Sequence, residues 1–263
     1  MRLFKWIPFI LFFSCIDMLI QTIPYNSLYF KGGSWMEIAI IDSMKLNQNA
    51  NDFSLQFWVS GGEMTTSDAP ALFSLIDAQD SIKLALFRDR GSSNRITWTT
   101  NSISNNEVID DEYNNKLDWS DPDMFYLISL LFSDNQGIKG YFNDEIFLNI
   151  PDNIEAGDAK LMIGARINDA LTIRDHFWYG YIDEIRLWNT LLADSTIKFQ
   201  YEHPDKLGDY YRQTYEDSLI GLWRFNLSEP IFTIVDESEH GNDGIIYTLD
   251  DNYSIELSEK GVQ

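Results

Sequence analysis

The sequence predicts an all-β protein, two antiparallel sheets stacked as a sandwich with little helix, and three observations lead there. From residue 27 onward, short runs alternating apolar and polar residues follow one another, separated by clusters of Gly, Asn, Asp and Ser; this is the period-two signature of half-buried strands joined by turns. Only residues 193–201, behind Asn189 or Asp194 as a cap, have the spacing of a helix. Finally, 17 Phe, 13 Tyr and 8 Trp among 263 residues supply bulky apolar surface for a large core. All-β sandwiches of this length commonly form one domain.

The first residues read as a targeting segment. Arg2 and Lys5 precede the apolar run 6–13, Ser14 and Cys15 follow at once, and Asp17 interrupts the chain well short of the ~20 apolar residues a spanning helix needs. A small residue directly before a cysteine resembles a bacterial lipoprotein signal. That reading makes residues 1–15 the signal, Cys15 the lipidated residue and 16–26 a tether. The other reading is an ordinary secretory signal, or an uncleaved anchor, that contains a cysteine. Cys15 is the only cysteine, so the folded body has neither an internal disulfide nor a thiolate metal cluster.

Strands are expected at residues 35–41, 53–59, 71–77, 81–88, 95–99, 124–133, 137–143, 160–163, 179–188 and 219–225. In the second of these, Phe53, Leu55, Phe57 and Val59 share one face while Ser54, Gln56, Trp58 and Ser60 share the other, so one face is expected buried and one wet. Residues 101–122 are polar and acidic without a sustained period and read as a long loop carrying Tyr113 and Trp119. In 179–188 the parity changes: Trp178, Gly180 and Ile182 keep one, Ile185 and Leu187 the other. A β-bulge at Asp183-Glu184 explains the switch. Asn143-Asp144 supplies the positive φ of a tight hairpin turn. The sandwich body is placed at 27–201, a linker at 202–218 and a C-terminal segment at 219–263. That segment either completes the sandwich or begins a second copy that the chain lacks; about 45 residues could not bury an independent core, which favours the first.

Charge narrows the partners. With 41 acidic against 19 basic side chains the net charge is −22, which repels phosphate backbones and anionic lipid head groups. Nucleic acid is excluded, and membrane contact is expected only through the lipid anchor. Acidity of this kind suits calcium, or simply keeps an exported protein soluble.

Several strings, in order over residues 27–246, resemble the laminin-G-like family, the bacterial relatives of laminin G and pentraxin domains in the concanavalin A-like lectin/glucanase superfamily. They are SLYFKGGSWMEIAI, FSLQFWVSGG, GYFNDEIF, LMIGAR, YGYIDEIRLWNTLLADSTI, and LIGLWRFN followed by DESEHGNDGII. The family often carries the last two ahead of the first; here they come at the end. The resemblance implies a jelly-roll sandwich, and a carbohydrate or extracellular protein as ligand. It also implies one structural calcium held by the Asp183 side chain and the Gly33 carbonyl. Read from the residues alone, Asp183 either offers its oxygens to a cation or satisfies backbone donors at the bulge with no metal present.

Catalytic chemistry finds no support. A retaining glycosidase needs two carboxyl groups about 5 Å apart, which on a strand reads Glu-x-Asp-x-Glu, and no such string occurs; the nearest, EVIDDE from Glu107 to Glu112, has the wrong parity and reads as a solvated loop. His176, His203 and His240 are dispersed, and no HExxH, Gly-x-Ser-x-Gly or phosphate-cradling loop is present. The chain is therefore expected to be a non-enzyme, the alternative being a glycoside hydrolase that lacks a recognisable catalytic signature. Sugar sites pair exposed aromatics with polar side chains. This nominates Trp58 on its polar face, Trp98, and Tyr113 with Trp119 in the long loop, and, behind them, the rim residues Asp77, Asp175 and His176. Trp178, Phe57 and Trp223 are expected in the core.

Overall fold

The computed structural model describes residues 27–39, 52–62, 69–77, 82–88, 96–100, 107–108, 118–133, 135–151, 160–167, 174–207, 217–226, 232–238 and 240–262. Cys15 and Tyr113, and with them the signal and tether, lie outside these residues. The chain passes through β1 (Ser27–Lys31), β2 (Ser34–Ala39), β3 (Phe53–Gly61), β4 (Ala71–Ile76), β5 (Ile82–Arg88), β6 (Ile96–Thr100) and the two-residue β7 (Glu107–Val108). A meander of β8 (Tyr126–Ser133), β9 (Gly137–Phe142) and β10 (Glu145–Ile150) follows, then β11 (Lys160–Ile163), the short β12 (Arg166–Ile167) and β13 (Arg174–Asp175), and the long β14 (Tyr179–Trp188). After helix α1 (Asp194–Glu202) come β15 (Leu219–Trp223), β16 (Thr233–Ile234), β17 (Gly244–Thr248) and β18 (Glu256–Ser258).

All pairings are antiparallel, and they make two 8-stranded sheets and a small two-stranded one of β12 and β13. The first runs β10-β9-β8-β3-β14-β1-β18, with β15 also on β14; the second runs β16-β17-β2-β11-β4-β5-β6-β7. β14 is long enough to serve two neighbours on one edge. Its residues 179–182 pair with β1 and its residues 185–188 with β15, while β3 lies along the other edge. The inner faces interdigitate in one core, where Phe57 of the first sheet meets Phe73 of the second with ring centroids 6.0 Å apart. Gly164 has no freedom to change: at φ +83° an added Cβ would lie 2.7 Å from the Phe30 ring.

The segment after residue 217 contributes to both sheets. β15 joins the first, β16 and β17 join the second, and β18 returns to the first beside β1. One buried carboxylate fixes the crossing. Asp236 accepts hydrogen bonds from the backbone N–H groups of Leu222 (2.9 Å), Ser238 (2.9 Å) and Asn242 (3.0 Å), and Trp223 Nε1 donates to the Asn242 carbonyl at 2.8 Å.

The bulge expected at Asp183-Glu184 is present. Asp183 pairs with Trp58 and Ile185 with Phe57, leaving Glu184 as the extra residue at φ +31°. Asn143 takes φ +56° in the β9–β10 turn, and its side chain accepts from Leu127 N at 3.0 Å.

Three sequence expectations need correction. The supposedly wet face of β3 is covered, by α1 and its flanks over Ser54 and Trp58 and by the segment before β8 at Ser60, whose Oγ donates to Asp121 O: Ser54, Gln56 and Ser60 are all fully buried. Ser54 Oγ donates to Thr190 O and accepts from Leu192 N, and Gln56 Nε2 donates to Ser129 Oγ. Beneath the helix Leu131, Trp188, Leu192, Ile197 and Leu222 form a second apolar cluster. The helix begins after Ala193, without a side-chain cap, and Asp194 instead accepts from Tyr141 Oη at 2.8 Å. Finally, Glu107 and Val108, read as loop, pair with Trp98 and Thr97.

Candidate functional site

Strand parity that sends Leu28, Phe30, Gly180 and Ile182 inward sends Tyr29, Tyr179 and Tyr181 to the outer face of the first sheet. There they make a half-buried aromatic shelf. Tyr29 and Tyr181 are cross-strand partners, their rings stacked 4.7 Å apart at 26°, and Tyr179 meets Tyr29 edge-on at 5.8 Å. Phe125, on the segment leading into β8, stands 6.4 Å from the Tyr181 ring. Burial, then the hydrogen bond with Tyr179, pushes the Tyr29 hydroxyl well above its usual range, so it stays a donor at all physiological pH.

Beside the shelf lies an open depression of ≈ 530 Å³, lined by Asp123, Phe125, Glu259, Lys260, Gly261 and Val262. Lys260 Nζ sits 5.5 Å over the Tyr181 ring and 2.6 Å from Asp123 Oδ1. The bond to Asp123 raises the Lys260 ammonium further. Two backbone bonds hold this tail on the sheet: Ser27 N donates to Lys260 O and Val262 N to Asp183 Oδ2, each at 3.0 Å.

Val262 is also a wall of a second, tighter pocket of ≈ 210 Å³ over the bulge, bounded by Trp58, Asp183, Glu184, Asp205 and Arg224. Glu184 is divided between two guanidinium groups, Oε1 at 2.5 Å from Arg186 and Oε2 at 3.3 Å from Arg224. Arg186 is fully buried and also donates to the carbonyls of Pro204 and Lys206, which fixes the turn walling the pocket. Asp183 accepts from Glu184 N at 2.7 Å as well as from Val262.

Burial pushes the Asp183 carboxyl up to about 7, with the neighbouring Glu184 charge acting in the same direction and the N–H of Val262 and Glu184 and the Arg186 charge opposing. Its folded value thus lies above the ~4 of an unfolded chain, so the folded state holds the proton more tightly. The resulting stabilisation is complete below that unfolded value and is lost as pH rises through 7. Calorimetry should show the melting temperature falling from pH 5 to pH 8. In Asp183→Asn, neutral throughout, that part of the slope should vanish; an unchanged slope would assign it elsewhere.

The nominated tryptophans are not exposed. Trp58, Trp98 and Trp119 retain 3%, 4% and 0% of their surface. Trp98 points into the core opposite Leu86. Trp119 packs edge-on against Trp178 at 5.6 Å, and its carbonyl would lie 2.3 Å from a Cβ at Gly61. Trp58 does face outward, but Tyr201 of α1 stacks over it at 6.3 Å; it keeps contact with the tight pocket only. The rim residues are engaged locally: Asp77 with Lys83 at 3.1 Å, Asp175 with Arg166 at 3.0 Å, and the His176 ring with the Ala69 carbonyl.

Asp183 and Gly33 do not fit a shared calcium. In the β1–β14 register Leu28 faces Ile182, so Asp183 sits level with Ser27, whereas Gly33 lies in the turn beyond the far end of β1 at Lys31, four strand residues or roughly 13 Å away at about 3.3 Å per residue. The Gly33 carbonyl already accepts from Leu249 N at 2.9 Å. Asp183 instead serves the backbone donors of the bulge. Among the described residues no group of three or more His, Cys, Asp or Glu converges on a cation position.

No protein-family model matches this chain, and no curated protein matches it. Solved structures do. A candidate carbohydrate binding protein from Bacteroides ovatus ATCC 8483 aligns with a TM-score of 0.56 at 10% identity over 89% of this chain, which spans 59% of that protein's length. The native heptameric SAP-like pentraxin from Limulus polyphemus aligns with a TM-score of 0.51 at 11% identity, over 68% of this chain and 82% of its own. At such identities the likeness is one of architecture, and the architecture is a two-sheet antiparallel jelly-roll sandwich.

Proposed function

We propose that this chain is a non-enzymatic carbohydrate-binding module, exported and tethered at the cell surface through Cys15, that holds a glycan against Tyr29, Tyr179 and Tyr181. The observation that carries the reading is the shelf itself. Three tyrosine rings lie next to an open depression lined by Phe125, Asp123, Glu259 and Lys260, with Phe125 and Lys260 linking the depression to Tyr181. Sugar rings present apolar faces rimmed by hydroxyls, and aromatic faces beside charged and hydroxyl groups match both. The fold shared with the Bacteroides ovatus protein supports the same class of ligand. A non-catalytic role is supported by Asp183, whose two oxygens are both taken by backbone N–H groups.

A glycan array tests the reading. Wild-type protein is expected to bind a subset of polysaccharides, and Tyr181→Ala to bind them at least about tenfold more weakly, the loss of one stacked ring. No binding anywhere on the array would reject it, and turnover of a bound polysaccharide would reassign the chain as a hydrolase.

One observation favours a second reading, an envelope protein-interaction module. Ile245, Tyr247 and Leu249 on β17 and just beyond it are 46%, 39% and 56% exposed, beside Phe232 at 79%. An apolar strip of this kind is a common feature of protein interfaces.

A further inference from the structure

We infer that residues 259–262 form a removable strap that closes the proposed glycan site at Tyr181, and that a sugar ring enters only when the strap lifts. The inference deepens the reading of the tyrosine shelf and rests on it.

The ring of Tyr181 is approached from both edges of its strand. On one edge β1 pairs Tyr29 with it, and the two rings stack at 4.7 Å. On the other edge β3 pairs Ser60 with it, and Ser60 Oγ donates to Asp121 O in the segment that also carries Asp123 and Phe125. Lys260 Nζ lies 5.5 Å over the Tyr181 ring and 2.6 Å from Asp123 Oδ1, so the ammonium is drawn toward this second side. A cation over an aromatic ring occupies the place where the apolar face of a sugar would stack. Stacking on Tyr181 therefore requires Lys260 to leave.

The attachment of the strap lets it leave. Leu257 of β18 packs against the core, and Ser258 pairs with Ser27. Beyond them, residues 259–262 are all at least partly exposed, and none belongs to an apolar cluster. They are held by Ser27 N donating to Lys260 O, by Val262 N donating to Asp183 Oδ2, and by the ion pair with Asp123, whose two side chains are 35% and 75% exposed. A pair so exposed contributes little, and moving lids are drawn from segments of low local stability. Lifting the strap from Ser258 onward withdraws none of its side chains from the core.

Departure also changes what the site offers. Glu259, Lys260, Gly261 and Val262 line the depression opposite Asp123 and Phe125, so the width of the depression is set by where the strap lies. Losing Lys260 frees the Asp123 carboxylate, which accepts sugar hydroxyls, beside the uncovered ring. A ligand that binds only the open form has its apparent affinity reduced by the fraction of molecules that are open.

A chain ending at Ser258 keeps β18 and lacks the strap. The array that tests Tyr181→Ala, carrying cellohexaose, laminarihexaose, mannohexaose and xylohexaose among its glycans, is repeated with this shortened protein. It should bind at least one array glycan about tenfold more tightly than wild type, the gain expected where about one molecule in ten is open. Val262→Pro, which removes only the donor to Asp183, should tighten the same glycan about threefold. Melting temperatures close to that of wild type check folding in both. In the wild type, the Val262 amide should exchange with deuterium at least about a hundredfold faster than the Tyr181 amide. Equal protection at the two amides overturns the strap, and so does an affinity that is unchanged or weakened in the shortened protein. If Tyr181→Ala still loses binding in that case, the shelf stands without a strap. Absence of binding by both proteins across the whole array removes shelf and strap together.

Discussion

Replacing Asp236 by alanine should destabilise the fold by on the order of 3–5 kcal/mol, lowering the melting temperature by about 10 °C. Asp236 is 5% exposed and receives hydrogen bonds from the backbone N–H groups of Leu222, Ser238 and Asn242, from Asn242 Nδ2 at 3.3 Å and from the Ser238 hydroxyl. Those donors come from the strand in the first sheet and from the turn that leads into the second, so their loss frees the link between the layers as well as leaving N–H groups unpaired in the interior. Burial pushes this carboxyl up, but the Ser238 hydroxyl and the backbone donors pull harder, so it stays below the usual carboxylate value. Its contribution is therefore present above about pH 4 and lost as pH falls through the folded value. Urea unfolding at pH 7 measures the loss. Asp236→Asn, which keeps one acceptor, should fall between wild type and alanine; an alanine variant as stable as wild type would show that other contacts hold the crossing.

The body of the sandwich is legible in the sequence because its strands begin where their alternation begins. β3, β4, β9, β11 and β14 all begin at the residues their patterns name. The bulge is legible for the same reason: inserting Glu184 is the only way to keep both Ile182 and Ile185 facing inward. β1 and β18 leave weaker traces, at five and three residues. The outer faces are not legible at all. Ser54, Gln56 and Trp58 have the polarity of a wet face, and what buries them is a helix and turn some 140 residues later, a covering that no local pattern encodes. This is also why the nominated tryptophans misled: in Trp58, Trp98 and Trp119, a large ring beside polar neighbours went to the core or beneath another element, where its area counts most. Tyr179 and Tyr181 did carry a signal. Parity places them opposite Trp178, Gly180 and Ile182, and tyrosine tolerates a half-exposed position better than tryptophan buried elsewhere in the chain. The calcium pair failed for a different reason, since Gly33 and Asp183 could be placed on adjacent strands but not at a common height without the register.

Two arginines share Glu184, and they should differ sharply in what they contribute. Arg186→Met is expected to cost about 3 kcal/mol, because the side chain is fully buried and its removal strands the carbonyls of Pro204 and Lys206 along with one carboxylate oxygen. Arg224→Met should cost less than about 1 kcal/mol, because Arg224 is 28% exposed and its bonds to Glu184 and Glu237 are long, at 3.3 and 3.4 Å. Denaturant midpoints at equal slope would measure both. The contrast separates a fully buried charge from a partly exposed one. Arg186 fastens the turn at residues 204–206 over the sheet, whereas Arg224 stands in the pocket lining on two long ion pairs. Equal losses in the two variants would mean that the carboxylate, and not the turn, is what Arg186 stabilises.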